Sequence, residues 1–563
     1  MRKVVLFLFL FFLPKVCFAA ISASTVFEFR STATASMVNG GGFVTGASGT
    51  DYSLQDTAQW TAADLTCTAA STTVTSASSV FTSAVVGNII HLTALTGTGA
   101  IVGWYEITAF TDANNIVVDR TPTDGTNNIT AGTFYVGGAL SLNSTLDDEF
   151  FEEISGVNTA DGVKVWFKNG TYTLGEAVSI AGAGGSQKPI VVEGYNLTRG
   201  DVPTGTNRPT IAQGANNWTY SGANWDEYNI IRTGTGTTVL GGNGVTKKLI
   251  NCKVTNNSST AARNSISDFG WVVNCELGSY RGNAINISSS GSFVKIFGCY
   301  IWGSNNGVTV GGTGGSMNRS IMNSIIESCV TNAIVFTGAQ TGDFLISGNT
   351  LYGSENTTGT GGNFITGTTQ VKILNNIIYG FVTGVSHADV QTVGYDDYND
   401  YNNNDSDVSN WTKGANDSVL APSFTNVGQV TGTTGVFVAG GSKLVDTSKD
   451  FTALLVAAGD IVYIVSGTGV TAGNYLIDSI STTTNPNDTL NITIPASPGT
   501  NTTADKVYQI TTGHNFAIGT NLKALGFPGA FQGGLTTGYM DIGAVQRVEP
   551  VGGGANDVFG IIQ

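Results

Sequence analysis

Leu249-Ile250-Asn251-Cys252-Lys253-Val254 and Ile373-Leu374-Asn375-Asn376-Ile377-Ile378 are the first and last of six versions of one hexapeptide. Between them lie Val272-Val273-Asn274-Cys275-Glu276-Leu277, Ile296-Phe297-Gly298-Cys299-Tyr300-Ile301, Ile321-Met322-Asn323-Ser324-Ile325-Ile326 and Ile346-Ser347-Gly348-Asn349-Thr350-Leu351. The fourth residue advances by 23, 24, 25, 25 and 27 positions from one version to the next. A recurrence of that length is one turn of a solenoid. The first and sixth residues are aliphatic in every version, while the fourth runs Cys, Cys, Cys, Ser, Asn, Asn. In a parallel sheet, equivalent residues of neighbouring turns sit about 4.8 Å apart and stack into ladders. The pattern therefore predicts two aliphatic columns with a small polar or thiol column between them.

Each turn carries a second apolar run after a bend, as in Asn283-Ala284-Ile285-Asn286-Ile287, Gly307-Val308-Thr309-Val310 and Asn332-Ala333-Ile334-Val335-Phe336. The leucine frame of leucine-rich repeats is absent, and a propeller blade needs about 40 residues or more. The expectation is an all-β chain: a right-handed parallel β-helix solenoid with two small antiparallel β modules inserted.

Composition agrees. Of 563 residues, 75 are Gly, 11 are Pro and only 12% are charged. That charged fraction is about half the usual value, which disfavours helices with charged outer faces and suits short strands joined by tight turns. The N-terminus has a basic start (Arg2, Lys3), an apolar run from Val4 to Leu13, and small residues before a cleavage point after Ala19. This predicts a cleaved secretory signal over 1–19, because the run is shorter than the roughly 20 residues of a membrane span. The formal net charge of −15 argues against nucleic acid or an anionic membrane as partner. Localisation is expected to be extracellular, at a cell surface or on a virion. Five cysteines follow the signal: Cys67, Cys252, Cys275, Cys299 and Cys329. An odd count is no disulfide framework, and stacking explains the middle three as small buried hydrophobes.

The repeat resembles the pectate-lyase-like β-helix superfamily, with Ile373-Leu374-Asn375-Asn376-Ile377-Ile378 as a good match to its turn pattern. Val165–Leu174 and Lys188–Tyr195 look like opening turns, while Ala421-Pro422-Ser423-Phe424, Asn515-Phe516-Ala517-Ile518 and Asp541-Ile542-Gly543-Ala544 resemble a C-terminal element of secreted members. Within that ending, Thr520-Asn521 and Ala524-Leu525-Gly526 depart from the usual residues. The resemblance covers about residues 160–427 and 514–546 and speaks to fold more than function. The superfamily mixes lyases, hydrolases, phage tailspikes, adhesins and shafts, so it implies a polysaccharide or cell-surface glycan as partner. The tailspike likeness also implies a homotrimer, which no residue pattern here specifies.

A second repeat lies outside the solenoid. Gly87-Asn88-Ile89-Ile90-His91-Leu92 and Gly103-Trp104-Tyr105-Glu106-Ile107 have counterparts in Gly459-Asp460-Ile461-Val462-Tyr463-Ile464 and Gly473-Asn474-Tyr475-Leu476-Ile477. The organisation expected is a signal (1–19), an N-terminal segment or cap (20–65), a β module (66–138), the β-helix (139–427), a second module copy (428–513), a C-terminal element (514–546) and a tail (547–563).

Chemistry is sparse. Between 249 and 386 the acids are Asp268, Glu276, Glu327, Asp343 and Glu355, and none makes a close sequence pair of the kind glycoside hydrolysis uses. The superfamily's lyase arginine motif and its hydrolase Asn-Thr-Asp, Asp-Asp and Gly-His-Gly set are absent, and His91, His387 and His514 are dispersed. No catalytic residue is assigned. One outward column, Trp302, Glu327, Tyr352 and Tyr379, has aromatic faces spaced for pyranose rings or for packing under a loop. The stretch 396–407 offers Asp396, Asp397, Asp400, Asp405 and Asp407 as hard oxygen ligands for Ca²⁺, or as plain turn residues. The function expected is an exported, non-catalytic β-helix structural or surface protein that contacts glycans. The alternative is a tailspike-like polysaccharide lyase or glycoside hydrolase, with carboxylates assembled from lateral loops.

Overall fold

The computed structural model describes residues 21–544 apart from 35–36, 143–144, 156–161, 181–188, 221–224, 243–246, 289–293, 304, 312–318, 339–342, 354–358, 365–370, 389–393, 439–441, 482–487, 495–500, 519–521 and 523–542. The signal (1–19) and the tail (547–563) lie outside the described residues. The chain divides into two compact units, one built mainly on 38–140 and the other mainly on residues from 164 onward.

The larger unit is a parallel β-helix. Three sheets run along it, and in each the hydrogen-bonded neighbour of a strand is its equivalent one turn on. The parallel part of the first runs from Lys164–Lys168 to Tyr395–Asp397 (Thr25–Phe29 precedes it in the same sheet), the second from Thr171–Thr173 to Asp400–Asn402, and the third from Val178–Ile180 to Ser406–Ser409. Register keeps the sequence columns intact: Leu249 pairs with Val272, Val272 with Ile296, Ile296 with Ile321, Ile321 with Ile346 and Ile346 with Ile373. These side chains are buried, as are those of the sixth-residue column from Val254 to Ile378.

The small polar column is a hydrogen-bond ladder. The backbone N–H of Ser324 donates to Asn349 Oδ1 (3.0 Å), that of Asn349 to Asn376 Oδ1 (2.9 Å) and that of Asn376 to Asn399 Oδ1 (2.9 Å). Asn399 N–H donates to Asp417 Oδ1 (2.8 Å), which closes the ladder with a carboxylate. Where the thiols stand, Cys252, Cys275 and Cys299 are buried, free, and donate to backbone carbonyls. Burial pushes the Cys252 thiol up to about 12, so it stays protonated and inert.

The residue just before this column makes the corner between the first and second sheets. It is Asn251, Asn274, Gly298, Asn323, Gly348 and Asn375 in successive turns, every one at φ between 50° and 66°. Only Gly and Asn take the left-handed region readily, which is why this column alternates between those two residues.

One column departs from the aliphatic pattern at the start of the solenoid. Glu227 stands in register with Leu249, and its carboxylate holds Arg232 Nε at 2.7 Å and Tyr220 Oη at 2.8 Å. Arg232 is fully buried and stacks its guanidinium 4.1 Å over the Trp218 ring. A helix, Asp147–Ser155, was not anticipated from composition. Its Phe151 packs on Trp218 (4.6 Å) and Phe150 on Phe29 (5.5 Å), so aromatic rings close this end of the core.

The two modules share a strand plan. In the smaller unit Ile89–Thr96 pairs with Gly103–Asp112 and with Ala131–Val136 in a seven-stranded antiparallel arrangement, which Trp60–Ala62, upstream of residue 66, also joins. In the second copy Ile461–Ser466 pairs with Gly473–Ile480 and with Asn501–Asn515 in a closed barrel that begins at Asn426. Equivalent tyrosines repeat one device: Tyr105 Oη donates to Ile101 O (2.9 Å) and Tyr475 Oη to Thr471 O (2.7 Å).

Candidate functional site

The outward column of the second sheet is aligned as the spacing predicts. Glu327 pairs with Tyr352, and Tyr352 with Tyr379, while Trp302 closes the preceding strand Tyr300–Trp302. The rings of Tyr352 and Tyr379 stack at 5.2 Å with 2° between their planes. Their outer faces are covered. Phe424 lies edge-on to both at 5.9 Å, and Phe516 meets Tyr352 at 5.4 Å. Trp302 packs with Tyr280 under Ile461 of the barrel. Trp302, Tyr352 and Glu327 are only 7%, 5% and 1% exposed. As placed, these side chains are a packing seam for the C-terminal element and barrel, with no open aromatic platform.

At the centre of the seam sits a charged cluster that linear spacing did not foretell. Glu327 Oε1 accepts from Tyr300 Oη and faces His514 Nδ1 at 2.7 Å. On the other side, His514 Nε2 faces Asp460 Oδ1 at 3.1 Å. Glu327 comes from the solenoid, Asp460 from the start of a barrel strand, and His514 from the strand that leaves the barrel. Burial alone would lower the imidazole, but the charge of Glu327 and the hydrogen bond to Asp460 outweigh it and raise its pKa to about 10. His514 is therefore an imidazolium at neutral pH, clamped between two carboxylates. An imidazole in that state has no lone pair to act as a general base. Glu327 Oε2 is buried and has no hydrogen-bond partner among the described residues. Beside this cluster Arg281 donates to Asn474 O (2.8 Å) and lies 4.3 Å over the Tyr475 ring, tying solenoid to barrel again.

Four of the five aspartates of the acidic stretch bond local groups through their carboxylates. Asp396 accepts from Asn399 Nδ2, Tyr401 Oη and Trp411 Nε1, and burial next to Asp417 raises its carboxyl to about 8. Asp397 accepts from Asn416, while Asp407 holds Lys413 at 2.8 Å. Asp400 accepts from Ser418 and from Leu420 N–H, and burial raises it to about 6. The backbone N–H of Asp405 donates to Phe381 O. Among the described residues no three His, Cys, Asp or Glu side chains converge in a way that could hold a metal ion. The segment closes the last turn of the solenoid: Asp396 and Asp417 both face Asn399, the last ladder amide.

The remaining histidines are structural. His91 stacks on Trp104 at 3.8 Å, and burial lowers it to about 4. His387 is buried near Trp411.

No protein-family model and no curated protein matches the sequence. Solved structures that match include the tailspike protein gp49 from Pseudomonas phage LKA1, at 12% identity over 81% of this chain and 82% of that chain, with a TM-score of 0.18. The gp54 tailspike of Acinetobacter baumannii bacteriophage AP22, in complex with capsular saccharide, matches at 10% identity over 80% and 83%, with a TM-score of 0.23. The catalytic domain of a GH87 α-1,3-glucanase in complex with nigerose matches at 10% identity over 63% and 89%, with a TM-score of 0.17. Likeness at this level carries no functional argument. By its own strand order the chain is a parallel β-helix protein. What this β-helix does rests on its own residues.

Proposed function

We propose that this β-helix is an exported, non-catalytic structural protein of a cell or virion surface that contacts glycans along its flank. The observation that carries the reading is how the carboxylates of the solenoid are used. Glu227 neutralises Arg232, Glu327 clamps His514, Asp396 and Asp417 close the ladder, and Asp400 holds a turn. Acid/base cleavage of a glycosidic bond needs two carboxyl groups facing one substrate across about 5–9 Å of open space. Among the described residues, each of these acids faces protein groups.

The alternative, a polysaccharide lyase or glycoside hydrolase, has one observation in its favour: the Glu327, His514, Asp460 and Tyr300 cluster, with Glu327 Oε2 left unpartnered. Its burial between solenoid and barrel, and the cationic state of His514, weigh against catalysis there. The deciding assay incubates the mature protein with acidic and neutral polysaccharides, with and without Ca²⁺. New reducing ends and unsaturated products are measured alongside retention on immobilised polymer. Retention without cleavage is expected; cleavage abolished by Glu327→Gln would replace this reading with the enzyme.

A further inference from the structure

We propose that the outer face of the first sheet, centred on Trp271, binds an acidic polysaccharide. This site rests on the glycan-contacting reading above and gives it a place and a substrate class. Three consecutive strands build it: Lys248–Ile250, Trp271–Val273 and Lys295–Phe297. Their registers align Lys248, Trp271 and Lys295 in one column and Ile250, Val273 and Phe297 in the next, while Leu249, Val272 and Ile296 point into the core. The six outward side chains thus comprise two ammonium groups, one indole and three apolar groups; Asp226, next in the Lys248 column, pairs with Lys248 and leaves Lys295 as the ammonium group outside any described ion pair.

The indole is 45% exposed, among the most open large apolar groups on the solenoid. Ile250, Val273 and Phe297 beside it are half-buried, and the amide of Asn274 is exposed at the next corner. Lys248 keeps 41% of its side chain in solvent although it also holds Asp226 at 2.9 Å. Lys295 makes no ion pair among the described residues.

These are the elements that a charged sugar polymer needs. An exposed indole face accepts the C–H faces of pyranose rings. Ammonium groups take carboxylates as compact, mobile charges. Lys248 and Lys295 lie two strand spacings apart, so their anchor points are roughly 10 Å from each other along the solenoid. They flank the ring platform in the direction in which a polymer would run. A second copy of the chain is the poorer occupant, because each copy carries a net charge of −15 and like-charged molecules repel. An exposed indole beside Lys295, an ammonium group outside any described ion pair, makes this strip on so acidic a protein complementary to a polyanion.

The test uses the full mature chain on immobilised alginate, hyaluronan and polygalacturonate, with dextran as the neutral control. Trp271→Ala and Lys295→Gln are compared with Leu197→Ala, a change at a residue 79% exposed elsewhere. Both site substitutions lie on an open face, and circular dichroism of each variant checks that the fold is kept. The expected result is retention on at least one acidic polymer that falls as salt rises. That retention weakens about tenfold in Trp271→Ala and by a smaller factor in Lys295→Gln, and stays unchanged in Leu197→Ala. Acidic-polymer retention that survives both site variants overturns this site and leaves the glycan reading standing. Equal, salt-independent retention on dextran overturns the acidic class. No retention on any polymer overturns both. If Trp271→Ala instead dissolves an oligomer without touching retention, the face belongs to a second copy and the proposal fails.

Discussion

At the residue scale, the buried charge of Glu227 sits where partners are already aligned. Glu227 takes a position that is aliphatic in later turns, and it is tolerated because Arg232 and Tyr220 saturate its oxygens. Removing one member of such a pair strands the other in a low-dielectric interior, which costs about 3–5 kcal/mol. Glu227→Ala is therefore expected to destabilise the protein by that amount in denaturant melts, while Leu197→Ala on the surface changes little. The aliphatic column was legible in sequence. Glu227 was not, because its register partner Leu249 is known only once the turns are stacked.

At the element scale, the ladder of Ser324, Asn349, Asn376 and Asn399 is closed by two acids, and this gives the fold a pH dependence. The raised pKa of Asp396, about 8, means that the folded state binds a proton more tightly than the unfolded chain, whose Asp titrates near 3.9. That contribution is complete below about pH 4 and is lost as pH rises through about 8. Between those values stability is expected to fall with a slope of up to about 1.4 kcal/mol per pH unit. Asp396→Asn, which is neutral throughout, is expected to flatten this slope in thermal melts taken from pH 5 to 8. An unchanged slope would show that Asp396 is not the group responsible. The sequence marked 396–407 as acidic and left open whether it holds calcium or simply turns. The tertiary fold spends Asp396, Asp397, Asp400 and Asp407 on hydrogen bonds and an ion pair, because the last turn needs its exposed amides closed.

At the scale of the whole larger unit, the barrel docks on the solenoid through an apolar seam and one ion cluster. Tyr280, Trp302 and Ile461 form the apolar part, and Glu327, His514 and Asp460 the polar part. His514 titrates near 10 in the fold against about 6.5 in an unfolded chain. The docking energy from its charge is complete below about pH 6.5 and is lost as pH rises through about 10. His514→Ala leaves Glu327 buried opposite Asp460 without a cation, a change expected to cost about 3 kcal/mol. Limited proteolysis at pH 7 is expected to cut first at the barrel junctions near Asn426 and Asn515 in this variant. The wild type is expected to show the same cuts only above about pH 10. Equal resistance of variant and wild type at both values would remove His514 from the docking account.

Sequence alone determined the solenoid, because a parallel ladder stacks like on like and writes its period into the chain. The aliphatic columns, the Cys-to-Asn column and the doubled module are all local or periodic patterns that survive without coordinates. The left-handed corner was equally open to reading: its Asn and Gly alternate at one position for a single steric reason. What only the tertiary structure decided is which outward faces stay outward. Trp302, Tyr352 and Trp271 are indistinguishable as exposed-strand aromatics in the sequence. The first two lie under segments more than 70 residues distant, Phe424, Ile461 and Phe516, and the third is 45% exposed. The same distance hid His514, which lies 187 residues beyond Glu327 and meets it because the barrel strand that carries it returns to the solenoid. Periodicity reports contacts between neighbouring turns; contacts made across an insertion have no period, and only packing reveals them.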